Sequence, residues 1–140
     1  MQIWTDASFN DKTKEAGLGI LVRKLLKNGI KETKYAIKCK ADDNNQAELL
    51  AILYGLRSVD NSEKIHIITD SQTAIDCIHS PESKPNKYKY VVRQIQQELK
   101  GKRWKIYHKK GHSRSNDRYS NRQEVTDLLA KCAKKLDNSR

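Results

Sequence analysis

The chain has 140 residues, 36% hydrophobic and 32% charged, and its 28 Lys+Arg against 17 Asp+Glu leave a formal net charge of +11. This length suits one compact domain over residues 1–140. No apolar run approaches the roughly 18 residues that span a membrane, and the opening Met1-Gln2-Ile3-Trp4 does not read as a secretory leader. The positive excess points to a polyanionic partner, nucleic acid foremost. Cys39, Cys77 and Cys132 are odd in number and lack CxxC spacing, which argues against zinc and against a disulfide framework and fits a reducing cytoplasm.

In chain order, Gln2 to Ser8 reads as a strand, and a polar turn over 10–15 follows. The apolar run 17–22 suits a central strand, its two glycines marking close backbone approach or a bulge. Asn28-Gly29 predicts a tight hairpin turn with both central residues at positive φ, leading into a third strand over 30–40. Leu49, Ile52, Leu53 and Leu56 recur at helical spacing, with Asn45 and Glu48 as a capping pair and Asp60-Asn61-Ser62 as the stop. Ile65 to Thr69 is a compact strand, and Asp70-Ser71 opens a short helix to about His79. A loop over 80–85, a helix over 88–99, a strand over 104–109, a polar stretch over 111–120 and a last helix over 122–136 complete the order. A strand–helix–strand crossover requires a parallel pair, so the expected fold is α/β: a mixed sheet, its first three strands antiparallel, with helices on its faces.

Three acids stand out. Asp6 lies inside the first strand, where aspartate is disfavoured and an unpartnered carboxylate is costly. Asp70 ends an apolar strand, where ligands of open α/β sheets gather. Glu48 precedes Ile52 by one helical turn and so faces the sheet. Each has an ordinary structural alternative: an edge residue satisfied by backbone for Asp6, the capping acid for Glu48, the helix cap for Asp70. One divalent-metal site explains all three together, because close carboxylates repel unless a cation lies between them. Oxygen donors suit Mg²⁺, and two such ions serve phosphodiester hydrolysis.

The segments Thr5-Asp6-Ala7-Ser8, Asn44 to Ala51 and Thr69-Asp70-Ser71-Gln72 resemble signature blocks of type 1 ribonuclease H. A fourth block resembles Lys110-Gly111-His112 with Asn121 and Thr126 to Ala130. The resemblance implies a ribonuclease H-like, five-stranded mixed sheet, with the fourth and fifth strands parallel to the first and helices on both faces. It implies endonucleolytic cutting of the RNA strand of an RNA–DNA hybrid, giving 3′-hydroxyl and 5′-phosphate ends. Asp6, Glu48, Asp70 and Asp127 would hold two Mg²⁺ ions, with Mn²⁺ able to substitute. Asp6 would bridge both ions, and His112 would assist proton movement or product release. Asn44 and Asn45 would touch the hybrid, with Ser8 and Ser71 as further substrate contacts. A monomer is the default expectation.

This sequence departs from the family pattern in places. Asp43 stands where relatives often carry a phosphate-binding threonine, and an acid there is expected to repel phosphate. Ala7 replaces a common glycine. The stretch from Asp70 to His112 leaves no room for an added basic helix, a role that Lys84, Lys87, Lys89 and Arg93 partly cover or else merely solvate. The stretch from His112 to Asp127 is long, and Asp117 and Glu124 are the alternates to Asp127. Trp104, Tyr107, Tyr88 and Tyr90 are candidates for stacking on nucleic acid, with core packing the expected role of Trp104. Lys131, Lys134, Lys135 and Arg140 form a solvated helix face. Two other readings remain: a nuclease of the same fold acting on another nucleic acid, and a binding module that no longer cuts.

Overall fold

The computed structural model describes residues 1–59 and 64–109. Three strands open the chain: β1 (Gln2–Asn10), β2 (Glu15–Leu26) and β3 (Gly29–Lys40). They pair as antiparallel neighbours without a break in register, Asp6 lying opposite Gly19 and Gly19 opposite Ala36. The two glycines of β2 therefore mark no bulge. Helix α1 (Asn44–Arg57) leads to β4 (Lys64–Thr69), which runs parallel to β1 from Gln2↔His66 to Thr5↔Thr69. Helices α2 (Gln72–His79) and α3 (Asn86–Leu99) lead to β5 (Arg103–His108), parallel to β4. The sheet order is β3-β2-β1-β4-β5, so β1 is central. This is the expected five-stranded mixed sheet. Only a 3₁₀ turn, Pro81–Ser83, lies between α2 and α3, leaving no room for an extra helix.

The core explains why α1 carries chemistry. α1 touches β1, β2, α2 and α3, and it buries residues around most of its circumference. Ile3, Ile20, Leu49, Ile52, Leu53, Ile67 and Ile95 form the centre of the apolar cluster on that side. At roughly 1.5–3 kcal/mol for each large aliphatic side chain removed from water, this cluster is the main stabilising term. Gly55 permits the close approach: a Cβ there would lie 2.8 Å from Ile3 Cγ2. Trp4, Leu21 and Ile68 form a separate buried cluster, which strand alternation assigns to the opposite face. The three described helices share the first face. The helix expected over 122–136 lies outside the described residues.

The turns differ from expectation in instructive ways. The second hairpin pairs Leu26 with Gly29, so Lys27 and Asn28 are its central residues. Asn28 is not at positive φ; Gly29 carries φ 142° at the first position of β3. In the first hairpin, Asn10 accepts from the Lys12 and Thr13 amides at 3.0 and 3.3 Å, and Lys14 takes the left-handed conformation at φ 61°. Helix α1 ends at Ser58, whose hydroxyl donates to the Gly55 carbonyl at 2.7 Å. The stop expected at Asp60 therefore comes earlier.

Candidate active site

The strands position the acids first. β1 continues past Thr5, its last partner in β4, so the edge beside Asp6 and Ala7 is open on the β4 side. The Ala7 amide uses that opening to donate to the Glu48 carboxylate. Asp70 follows Thr69 directly, at the carboxyl end of β4. One ligand oxygen each from Asp6, Glu48 and Asp70 lie within 4.8 Å of one another. Asp6 and Glu48 are each 5% exposed and Asp70 is half-buried.

The capping roles that were the ordinary alternatives for Glu48 and Asp70 are filled by other residues. Asp43, not Asn45, caps α1, its Oδ1 accepting from the Gln46 amide at 2.8 Å. Gln46 Oε1 reaches back to the Asp42 amide at 2.7 Å, a reciprocal arrangement close to a capping box. Glu48 is therefore free of any capping duty. Ser71, not Asp70, caps α2, accepting from the Ala74 amide at 3.1 Å. Thr69 Oγ1 accepts from the Ser71 amide at 3.2 Å, so the chain turns at Asp70 without using its carboxylate as a cap.

The electrostatics of Glu48 disfavour its charge unless a cation balances it. Burial pushes its carboxyl well above the usual range and the Asp70 charge adds to the rise, against which the Ala7 amide is a smaller counterweight. Glu48 Oε2 is buried with no hydrogen-bond partner. Native proteins rarely leave a buried polar atom unpaired, because it forfeits hydration without compensation. An all-oxygen donor set with one unsatisfied carboxylate oxygen fits a hard divalent cation.

His108, which the sequence reading passed over, supports this end of the sheet. It pairs in register with Thr69, and its Nε2 donates to the Asp70 carbonyl at 3.1 Å. Lys109 donates its amide to the Thr69 carbonyl at 2.7 Å. The sequence signal for His108 was its place at the end of a strand parallel to the Asp70 strand, legible only once that register is known.

A second polar cluster lies at the start of α1. Asp43 Oδ2 pairs with Lys87 Nζ at 2.7 Å and accepts from the Tyr88 hydroxyl. Burial alone would raise the Asp43 carboxyl; the bonds from Lys87, Tyr88 and Gln46 outweigh it and hold it below its usual value. Asn45 shares a hydrogen bond with the Tyr88 phenol. Three expectations change here. The Asp43 charge is balanced locally, because Lys87 closes on it. Lys87 is committed to that ion pair, so it is not simply a free substrate grip. Tyr88 is 7% exposed and packs in the core, so its ring is closed to stacking.

Of the remaining site residues, Asn44 is exposed at the first position of α1, Asn45 is half-buried, and Ser8 is half-buried opposite Gly17. Ser71 is occupied as the α2 cap. Ala7 packs against the small-residue cluster containing Ala47 and Ala51, which accommodates its methyl group. Trp104 lies at 37% exposure rather than in the core, because among the described residues β5 is an edge strand with no neighbour on its outer side. His112, Asp127 and their alternates Asp117 and Glu124 lie outside the described residues.

Fold and site together define an α/β domain whose central strand, first helix and fourth strand bring carboxylates to one point. A family model described as RNase H matches residues 1–135. The chain belongs to the RNase H family. No curated protein matches it by sequence. Among solved structures, RNase H1 from the halophilic archaeon Halobacterium salinarum NRC-1 aligns with a TM-score of 0.74 at 20% identity, over 98% of this chain and 97% of that one. The PFV RNase H domain aligns with a TM-score of 0.77 at 20% identity, over 96% of this chain and 94% of that one. At that identity the likeness is one of fold. No described helix is long and apolar enough to cross a membrane.

Proposed function

We propose that the protein is a divalent-metal-dependent endonuclease that hydrolyses the RNA strand of RNA–DNA hybrids, leaving 3′-hydroxyl and 5′-phosphate ends. The observation that carries this reading is the convergence of Asp6, Glu48 and Asp70 within 4.8 Å, with a buried Glu48 oxygen unsatisfied. Family membership supports the substrate class, and the net charge of +11 suits a polyanion.

Asp6, Glu48 and Asp70 hold the cation, Mg²⁺ with Mn²⁺ as a substitute, and Asp127 completes a two-ion set. Bound there, the ions supply charge neutralisation at the scissile phosphate and an acidified water. The chain's own groups do the rest. The Ala7 amide orients Glu48, and His108 steadies the Asp70 backbone. Asn44 and Asn45 open α1 beside the acids, where the helix terminus carries partial positive charge and amide side chains can read a 2′-hydroxyl. Ser8 and Ser71 flank the same end of the sheet, and His112 assists proton movement or product release.

The test is incubation of pure protein with labelled RNA–DNA hybrid, duplex RNA, duplex DNA and single strands, with Mg²⁺, with Mn²⁺ and with chelator. Cutting confined to hybrid RNA and abolished by chelator is expected. Equal cutting of duplex DNA, or tight binding without turnover in either metal, overturns the proposal.

A further inference from the structure

The far end of the sheet carries a second feature that hybrid cleavage at the acids does not use. The C-terminal turns of α3 and the start of β5 border an open groove of about 600 Å³. A tight turn builds it: Lys100 donates its amide to Gln97, Lys102 donates to Leu99, and Gly101 takes φ 79° between them. Leu99 is buried at the floor, and Trp104 is the exposed aromatic of the wall. Arg93, Lys100 and Lys102 line the groove as cations, Gln96 and Gln97 as amides. Trp104 also borders a neighbouring groove of about 270 Å³ that is flanked by Lys64, Arg103 and Lys105. No acid lines either groove among the described residues. No described carboxylate forms an ion pair with Arg93, Lys100 or Lys102.

This surface is distinct from the acid centre. Trp104 pairs with Ile65 near the start of β4, while Asp70 follows its last residue. Five residues of strand at about 3.3 Å each separate the two levels by about 17 Å. Tyr107 is stacked face to face on His66 at 5.6 Å and 9°, whereas Trp104 meets His79 only at a tilt, at 6.1 Å and 38°, and keeps 37% of its surface exposed.

We infer that this groove is a second nucleic-acid contact, one that takes a single strand by stacking a base on Trp104 and pairing its phosphates with Arg93, Lys100 and Lys102. Charge complementarity demands a polyanion. An acidic peptide would match the cations but make no use of a flat indole beside two amides, whereas a nucleobase uses both. A duplex closes its base faces by internal stacking, so a single strand is the form that fits. The inference does not rest on cleavage, because it concerns binding at a place the acids do not reach.

The experiment exploits the chain having only two tryptophans, of which Trp4 is 1% exposed. Titrate the full chain, in chelator, with a thymidine oligomer of about twelve nucleotides and follow tryptophan fluorescence. Trp104 should be quenched, in Asp6→Asn as in the native chain. By anisotropy of labelled oligomer, Trp104→Ala should bind at least about tenfold more weakly, and Trp104→Phe should recover most of the loss. Replacing Arg93, Lys100 and Lys102 together by alanine should reduce the slope of log affinity against log salt by about 2. Circular dichroism confirms that each variant is folded. The inference is overturned if quenching is absent, if it disappears in Asp6→Asn, or if folded Trp104→Ala binds as the native chain does. It is equally overturned if inorganic polyphosphate or an oligoglutamate binds as tightly as the oligomer.

Discussion

Asp43 and Glu48 stand five positions apart at the start of one helix, and their surroundings treat them oppositely. Asp43 caps α1, pairs with Lys87 and accepts from Tyr88, so each of its oxygens has a partner and its carboxyl is held below the usual range. Glu48 is more deeply buried, has one oxygen without a hydrogen bond, faces the Asp70 charge, and is pushed well above the usual range. A structural acid finishes its hydrogen bonding inside the protein. An acid suited to a cation leaves an oxygen unpaired within the protein, at a cost that a bound cation would offset.

The strongest way to break this contrast is to remove a member of the acid cluster around Glu48. Asp70→Asn should lower metal-dependent hybrid cleavage by at least about a hundredfold, beyond the 10- to 100-fold typical of outer-shell partners. Thermal unfolding should show the fold retained. A variant that cuts normally would return Asp70 to the structural class.

Next in size is the packing that holds α1 against the sheet. Gly55→Ala should destabilise by about 1–3 kcal/mol in urea unfolding, because the added methyl meets Ile3 Cγ2 in a filled core. Its folded fraction should bind Mg²⁺ more weakly if the helix carries Glu48 away from Asp6. An unchanged midpoint would show that α1 has slack.

The pH dependence sharpens the contrast, since the two acids act with opposite sign. The folded pKa of Glu48 lies above its ordinary 4.5, so the folded state binds the extra proton. Its penalty is absent below about pH 4.5 and grows as pH rises through the raised value. Without metal, Glu48→Gln should therefore gain stability over the native chain with rising pH, by at most about 1.4 kcal/mol per pH unit. Mg²⁺ should stabilise the native chain more than this variant, by mass action. The folded pKa of Asp43 lies below its ordinary 3.8, so its contribution is present above that value and lost as pH falls.

The smallest expected effect is at the satisfied acid. Asp43→Ala should cost about 1 kcal/mol, the usual loss for a helix cap, with its largest difference from the native chain at neutral pH. Equilibrium unfolding at neutral and acid pH measures both. Cleavage by the folded variant should change far less than for Asp70→Asn.

Much of this was legible in the residues alone. The succession of strands and helices along the chain, a fourth strand parallel to one of the first three and the inward face of Glu48 follow from periodicity and from the length a parallel crossover needs, while the pairing of that fourth strand with the first came with the family resemblance. The acids could be named because aspartate inside a strand and at the end of another is costly without a reason. The turn at Lys27-Asn28, the cap at Asp43 and the exposure of Trp104 were not legible. Each depends on which of several neighbouring residues wins a local competition, and distant contacts decide that competition. Asp43 wins the cap partly because Lys87 and Tyr88, more than forty positions away, arrive to balance its charge.

The sequence by itself determined the pattern of elements, the basic character and the identity of the acids, since these depend on residue type and spacing along the chain. Tertiary structure decided which carboxylate is satisfied and which keeps an unpaired oxygen. Ionisation and hydrogen bonding depend on neighbours in space, and neither Lys87 beside Asp43 nor Asp70 beside Glu48 is adjacent in the chain.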